Sequence, residues 1–323
     1  MAFALVHYAA GAAPTSGTWG LVRGDTLVPL PGTFSTTAEV LAEGVPVARS
    51  LLDDSEHGGA PLPLRDVQVL SPVTAPCQIV AQGANYRSHL REVGLDPDHR
   101  TFNMLFRKAG ASITGPYDAI VRPPHVRLLD YEVELGLVLG APITAPVTVE
   151  GATLDRWIGA LVVANDVSAR DVQLPQTQFY KGKSYRTFCP VGPYLLVPEA
   201  GDLARIPELR LTLSVNGEVR QDESCADMVY GPAETLSEIS QLEVLAPGDL
   251  ILTGTPGGVA LQPPGALVQR LVGALLPEEL RWQAFVAMQA RRREYLQPGD
   301  RVRAAIRTPD GAIDLGTQDT VVR

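Results

Sequence analysis

The clearest hydrophobic pattern in the chain is Leu128-Leu129-Asp130-Tyr131-Glu132-Val133-Glu134-Leu135-Gly136-Leu137-Val138-Leu139-Gly140. Apolar flanks and a closing glycine predict a buried strand. Side chains alternate faces along a strand, so Asp130, Glu132 and Glu134 share one face. Tyr131, Val133, Leu135, Leu137 and Leu139 share the other. Neighbouring carboxyls on the acidic face lie roughly 6–7 Å apart at Cα and repel one another when ionised. An apolar strand tolerates such a row only beside a cation or on a face open to water. The stretch alone fits both an edge strand with acidic decoration and a metal site.

The pattern elsewhere predicts mostly short strands. In residues 1–70 they fall at 3–8, 18–23 and 26–30, the last two joined at Gly24-Asp25 as a hairpin. A short helix is expected over 36–43, capped by Thr36 or Thr37. The run Gly58-Gly59-Ala60-Pro61-Leu62-Pro63 reads as a linker, so residues 1–70 are expected to form a small β-rich N-terminal domain and residues 71–323 a second one. Residues 77–81 read as a strand that breaks at Gly83-Ala84-Asn85 and passes into a helical turn. His89 and Glu92 stand at i, i+3 there, on one helix face. A carboxylate beside an imidazole fixes its tautomer and raises its basicity, which prepares a general base; an ordinary surface pair has the same spacing.

A second apolar run, 157–164, reads as a buried strand ending in Asn165-Asp166. Functional side chains concentrate where strands give way to loops. Asp166 is therefore a candidate third ligand, and Arg170 and Gln173 are candidates to bind a carboxylate or carbonyl. The competing reading pairs Arg170 with Asp166 or Asp171 in a structural salt bridge. Farther on, 209–215 and 219–228 are strands joined by the Asn216-Gly217 turn. Residues 233–239 read as helical. Residues 277–295 read as an amphipathic helix with Leu280, Trp282, Phe285 and Met288 as its apolar positions. Between these two helices, Leu245 to Val259 reads as a turn, a strand and a Gly/Pro loop.

Composition narrows the function classes. The 323 residues carry 45% hydrophobic and 20% charged side chains, as an ordinary globular protein does. A net charge of −9 argues against nucleic acid or a membrane surface as partner. The run Arg291-Arg292-Arg293 is expected on a solvated helix face. Cys77, Cys189 and Cys225 are widely spaced and form no CxxC pair, which suits a reduced, cytoplasmic setting. The small-residue N-terminus has no Lys or Arg before Arg23 and is interrupted by His7-Tyr8, so it is not read as a secretion signal. Gly182-Lys183-Ser184 lacks the earlier glycine of a phosphate-binding loop, since Thr177 stands there. Cys189 precedes Pro190 and is expected as a packed thiol.

Five stretches together, in order, resemble the fumarylacetoacetate hydrolase family: Gly83 to Glu92, Asp130 to Leu135, Ala164 to Gln173, Gly182 to Pro190 and Pro247 to Pro256. The likeness implies a mainly β, α+β fold, a mixed β-sandwich and roll preceded by a small N-terminal domain, and a homodimer. It makes Glu132, Glu134 and Asp166 the metal ligands. Such an all-oxygen set suits Mg²⁺ or Mn²⁺, with Ca²⁺ possible, and is poor for Zn²⁺. It makes His89 and Glu92 a water-activating dyad, gives Lys183, Arg170 and Gln173 the substrate's oxygens, and gives Thr255 its carboxylate. Asp130 is left as a structural or supporting carboxylate. The implied activity is metal-dependent hydrolysis of a carbon–carbon bond in a 1,3-dicarbonyl or acylpyruvate-type 2-oxo acid. Decarboxylation of oxaloacetate, or dehydration or isomerisation of 2-oxo acids, uses the same platform. An inactive binding protein of the same family would be marked by loss of a ligand or of the dyad, and neither is lost. Residues 262–295 are an insertion that compact members lack.

Overall fold

A computed structural model describes residues 2–10, 17–53, 59–99, 102–262 and 277–323, without the side chains of Glu278 and Glu279. The N-terminal strands are β1 (Phe3–Ala9), β2 (Thr18–Arg23), β3 (Thr26–Pro29), β4 (Leu62–Pro63) and β5 (Gln68–Val69). Next come β6 (Ile79–Gly83), β7 (Met104–Lys108), β8 (Ile113–Thr114), β9 (Leu129–Asp130), β10 (Val133–Leu139), β11 (Ile158–Asn165) and β12 (Ser168–Ala169). The last are β13 (Cys189–Pro190), β14 (Leu195–Val197), β15 (Arg210–Val215), β16 (Glu218–Ser224), β17 (Leu250–Leu252), β18 (Arg301–Arg307) and β19 (Asp314–Val321). The helices that matter here are α1 (Thr37–Glu39), α2 (Val45–Asp53), α3 (Arg87–Glu92), α4 (Arg170–Gln176), α5 (Phe179–Lys183), α6 (Pro232–Leu242) and α7 (Glu278–Gln289).

One sheet runs β4-β3-β2-β1-β14-β11-β10-β17-β6-β7, with β5 added to β1, and a second runs β16-β15-β18-β19. Within the large sheet β17 and β6 run parallel, while β10 is antiparallel to both its neighbours. The two sheets sandwich an apolar core. Leu135, Leu137, Leu161 and Val163 of the large sheet join Leu211, Leu213, Val302 and Ile306 of the small one in it. A second cluster, including Val138, Val162, Ala164 and Leu252, packs on the other face with Trp19, Phe34 and Val40. This is the mainly β, α+β architecture expected from the sequence. The strands before residue 70 are continuous with the rest through β1, which pairs with β14.

The long acidic strand is two strands. Asp130 pairs with Ser168 in a short ladder, and Glu134 pairs with Ala164 in the large sheet. Between them the chain leaves the ladder at Tyr131 and Glu132. Side chains satisfy its backbone there: Glu132 N–H donates to Asn165 Oδ1 at 3.0 Å and Val133 N–H to Gln221 Oε1 at 3.0 Å. Alternation nevertheless survives the break, because Tyr131 and Val133 enter the sandwich core. Asp130, Glu132 and Glu134 are all buried. The reading of a solvated edge strand is thereby excluded.

Two helices differ from expectation. Proline at its first turn starts α6 earlier than the apolar spacing suggested. The helix α7 is shorter than the expected 277–295, so Arg291 to Arg293 lie beyond it and not on a helix face. Leu280 and Met288 are exposed, while Val286 is the residue that packs on the core. Residues 263–276 of the insertion lie outside the described residues.

Candidate metal centre

Strand ends and short helices converge on one buried cluster. Glu134 belongs to β10 and Glu132 lies just before it. Asp166 follows the end of β11, and its N–H donates to the Glu132 carbonyl at 2.8 Å. One carboxylate oxygen from each of Glu132, Glu134 and Asp166 lies within 4.8 Å of the others. Three cations enclose them. Lys183, which closes α5, donates to Glu132 Oε2 at 2.5 Å and Asp166 Oδ2 at 2.6 Å. Lys108, which closes β7, donates to Asp166 Oδ1 at 2.6 Å and to the Lys183 carbonyl. Arg170, which opens α4, donates through Nη2 to Glu132 Oε1 at 2.5 Å, through Nη1 to Gln173 Oε1 at 3.0 Å and through Nε to Asp130 Oδ2 at 2.8 Å.

Three carboxylates thus pair with three cations and a fourth, Glu134, stands beside them, all with little solvent exposure. Burial pushes the Glu132 carboxyl up, but the Lys183 ammonium and Arg170 guanidinium outweigh it and hold it down to about 2. Glu134 touches neither cation by hydrogen bond. Burial, together with the charges of Asp166 and Glu132, holds it well above the usual carboxylate range. Its Oε2 accepts the Gly254 N–H at 2.8 Å, while its buried Oε1 has no partner among the described residues. A buried, unpartnered acceptor facing two other carboxylates calls for a cation. All donors are hard oxygens, so the set fits a small divalent ion.

The helix α3 brings up the expected dyad. Asn85 bonds its side chain to Thr253 O, Tyr230 O and Tyr230 N, and Asp227 accepts the Ser88 N–H at 2.8 Å, which pins the start of the helix. His89 Nδ1 faces Glu92 Oε2 at 3.4 Å, a loose contact. His89 also lies close to Glu132, so that a proton on its ring would favour the ionised carboxylate. Glu92 is fixed from the other side by the Gly258 N–H, at 3.1 Å and 3.2 Å from its two oxygens. Beside α3 lies a cavity of about 250 Å³, lined among others by Gly83, Leu90, Leu95, Phe102, Met104 and Tyr230.

Thr255 is buried and its hydroxyl is engaged twice: it donates to Val133 O at 3.0 Å and accepts from Gln221 Nε2 at 2.8 Å. Two features of this neighbourhood escaped sequence reasoning. Lys108 was one, although period two from the partly buried Phe106 puts it on the inward face while Arg107 points out to Glu243. The other was the purpose of the glycines after Thr253. Gly254, at φ +85°, and Gly258, at φ +99°, present N–H groups to Glu134 and Glu92. A Cβ on Gly258 would stand 2.0 Å from Arg220 O. Cys189 is a packed thiol, pushed up to about 12 by burial.

Residues 78–323 match the model of the fumarylacetoacetate (FAA) hydrolase C-terminal region. The chain belongs to the fumarylacetoacetate hydrolase family. It is 38% identical over 202 residues to the mitochondrial oxaloacetate tautomerase FAHD2A of Bos taurus, a match spanning 62% of each protein. It is 42% identical over 190 residues to the 2,4-didehydro-3-deoxy-L-rhamnonate hydrolase of Sphingomonas sp. (strain SKA58), spanning 58% of this chain and 64% of that protein. Among solved structures, fumarylacetoacetate hydrolase from psychrophilic Exiguobacterium antarcticum superposes with a TM-score of 0.74 at 26% identity, over 99% of both chains. Homologues of this family are hydrolases, isomerases and tautomerases of small acids. No described helix is long and apolar enough to cross a membrane.

Proposed function

We propose that this protein is a divalent-metal-dependent hydrolase that cleaves a carbon–carbon bond in an acylpyruvate-type 2-oxo acid or related 1,3-dicarbonyl. The observation that carries the reading is the buried Glu132–Glu134–Asp166 set, in which Glu134 Oε1 has no partner among the described residues, with a His–Glu pair beside it. Glu132, Glu134 and Asp166 would hold Mg²⁺ or Mn²⁺, with Ca²⁺ possible, and the ion would supply Lewis acidity for negative charge developing on a substrate carbonyl.

The protein's own groups do the rest. Glu92 takes the Nδ1 proton side of His89, which leaves Nε2 as the base. His89 removes a proton from water, and the hydroxide oxygen adds to the distal carbonyl carbon. As the carbon–carbon bond breaks, its electron pair passes to the other fragment, which His89 reprotonates. Lys183, whose ammonium is stabilised by Asp166 and Glu132 against the cost of burial, offers a hydrogen bond to the developing enolate oxygen. Gln173 offers its amide nitrogen and Thr255 its loop to the substrate's oxygens, and Arg170 contributes through Glu132. The cavity beside α3 takes the distal acyl group. The protein acts as a homodimer in the cytoplasm.

A second reading is keto–enol tautomerisation of oxaloacetate, the activity for which the FAHD2A relative is named. His89 would then move a proton between carbon and solvent, with no water addition. Turnover of acylpyruvates and of oxaloacetate, followed side by side, decides between them. Acylpyruvate cleavage abolished by His89→Ala supports hydrolysis; oxaloacetate enolisation without any acylpyruvate cleavage replaces it with the second reading.

A further inference from the structure

Asp130 stands outside the three-carboxylate set, and its lone pairs are spoken for. Oδ1 accepts the N–H groups of Tyr131 at 2.9 Å and Ala260 at 2.8 Å. Oδ2 accepts Arg170 Nε at 2.8 Å and the Leu261 N–H at 3.1 Å. A carboxylate has about four acceptor positions, so this one has none left for a ligand. Its side chain is fully buried.

Its partners lead to the two halves of the site. Arg170 is the route to the metal set, because its Nη2 holds Glu132 and its Nη1 holds Gln173. Ala260 and Leu261 are the route to the dyad. They end the loop whose Gly254 N–H holds Glu134, whose Gly257 N–H donates to Ser88 Oγ at 3.2 Å, and whose Gly258 N–H holds Glu92. Tyr131 tightens the same loop by donating its hydroxyl to Gly258 O at 3.2 Å.

We propose that Asp130 is a positioning residue that sets the base pair His89–Glu92 in register with the ligand carboxylates, through Arg170 on one side and the 258–261 backbone on the other. A guanidinium next to several carboxylates has several ways to pair. Asp130 leaves it one, by taking Nε and directing Nη2 to Glu132. A glycine-rich loop likewise has many conformations, and two adjacent N–H groups on one buried anion leave it few. Groups that orient metal ligands commonly change metal affinity or activity 10–100-fold, and Asp130 acts on Glu132 through Arg170.

The inference rests on the proposed metal-dependent function, and the test separates the two. Asp130→Asn keeps the shape and turns one acceptor into a donor that faces two donors, either Arg170 Nε and Leu261 N–H or Tyr131 and Ala260 N–H. In the folded variant, the Mn²⁺ concentration at half-maximal thermal stabilisation is expected to rise about 10–100-fold. Amide exchange is expected to quicken at both 87–93 and 257–262. A lowered Tm with wild-type Mn²⁺ affinity and wild-type exchange at 87–93 would make Asp130 merely structural and overturn the proposal. Hydrogen exchange of the wild-type chain with and without Mn²⁺ covers the case in which the variant does not fold. Protection spreading to both 257–262 and 87–93 is expected. Protection confined to 130–135 and 164–167 overturns the role of Asp130, whereas no protection anywhere overturns the metal reading itself.

Discussion

Two regions of this protein pair the same side-chain types at the same distances in opposite surroundings. On the outer face of the small sheet, Arg301 holds Asp319 with two contacts of 2.6 Å and 2.7 Å, and Arg210 holds Asp222 at 2.5 Å. At the carboxylate cluster, Lys108 holds Asp166 at 2.6 Å and Arg170 holds Asp130 at 2.8 Å. The Arg301 side chain is 64% exposed, and those of Lys108 and Asp166 are 0% exposed. Exposed pairs are screened by water and salt and contribute little. Buried ones face a desolvation cost that their attraction offsets only when every partner is present. The surface pairs decorate a sheet whose stability comes from its apolar core. The buried pairs hold an arrangement that an apolar core would replace at lower cost, and such an arrangement points to function.

Removing one member of the buried set gives the largest expected effect. Glu132→Ala leaves Lys183 and Arg170 facing no carboxylate at that position and is expected to cost about 3–5 kcal/mol in denaturant unfolding. Turnover is expected to fall by three orders of magnitude or more, several kcal/mol of transition-state stabilisation. Next comes His89→Ala. It is expected to lower turnover about 10²–10⁴-fold while leaving the thermal shift produced by Mn²⁺ intact, since His89 is not a ligand. Loss of that shift would tie His89 to the metal set instead.

The pH dependence sharpens the same contrast. The Glu132 carboxyl is lowered on folding, so the stability it contributes is complete above its unfolded value of about 4.3 and is lost as pH falls towards about 2. Wild type and Glu132→Gln should therefore converge in stability across that window, and parallel curves would show that Glu132 is not held ionised by its neighbours. The smallest effect belongs to the surface. Arg301→Ala and Arg210→Ala are expected to move Tm by no more than about 2–4 °C, and less in high salt. A shift as large as that of Glu132→Ala would erase the distinction between the two regions.

The acidic row, Asp166 at a strand end, and His89 with Glu92 on one helix turn were all legible in the sequence, because strand and helix periodicity fix which side chains share a face. Periodicity could not show that the row is interrupted. The break at Tyr131-Glu132 depends on Asn165 and Gln221, side chains from distant segments that bond its backbone. The resemblance set Asp130 apart from Glu132 and Glu134, but what engages Asp130 instead is the loop 254–261, which supplies N–H groups to Asp130 and Glu134 from more than 100 residues away. The role of Gln221 was hidden for a similar reason, since it bridges Val133 and Thr255 across the sandwich. Arg170, expected to take substrate oxygens, has Nε, Nη1 and Nη2 each bonded within the protein, which composition at a strand end cannot reveal.

Glu132, Glu134 and Asp166 could together hold a divalent cation, and Glu134, whose buried Oε1 has no partner among the described residues, would gain most from it. Thermal unfolding of wild type and Glu134→Gln, with and without Mn²⁺, tests this most directly. At about 100 times the dissociation constant, bound ion should stabilise the wild type by about 2.7 kcal/mol, a rise of several degrees in Tm. Glu134→Gln, which mimics the protonated carboxyl, should fold as stably as the metal-free wild type and show no rise. Equal Mn²⁺ stabilisation of both proteins, or none of the wild type, would contradict the account.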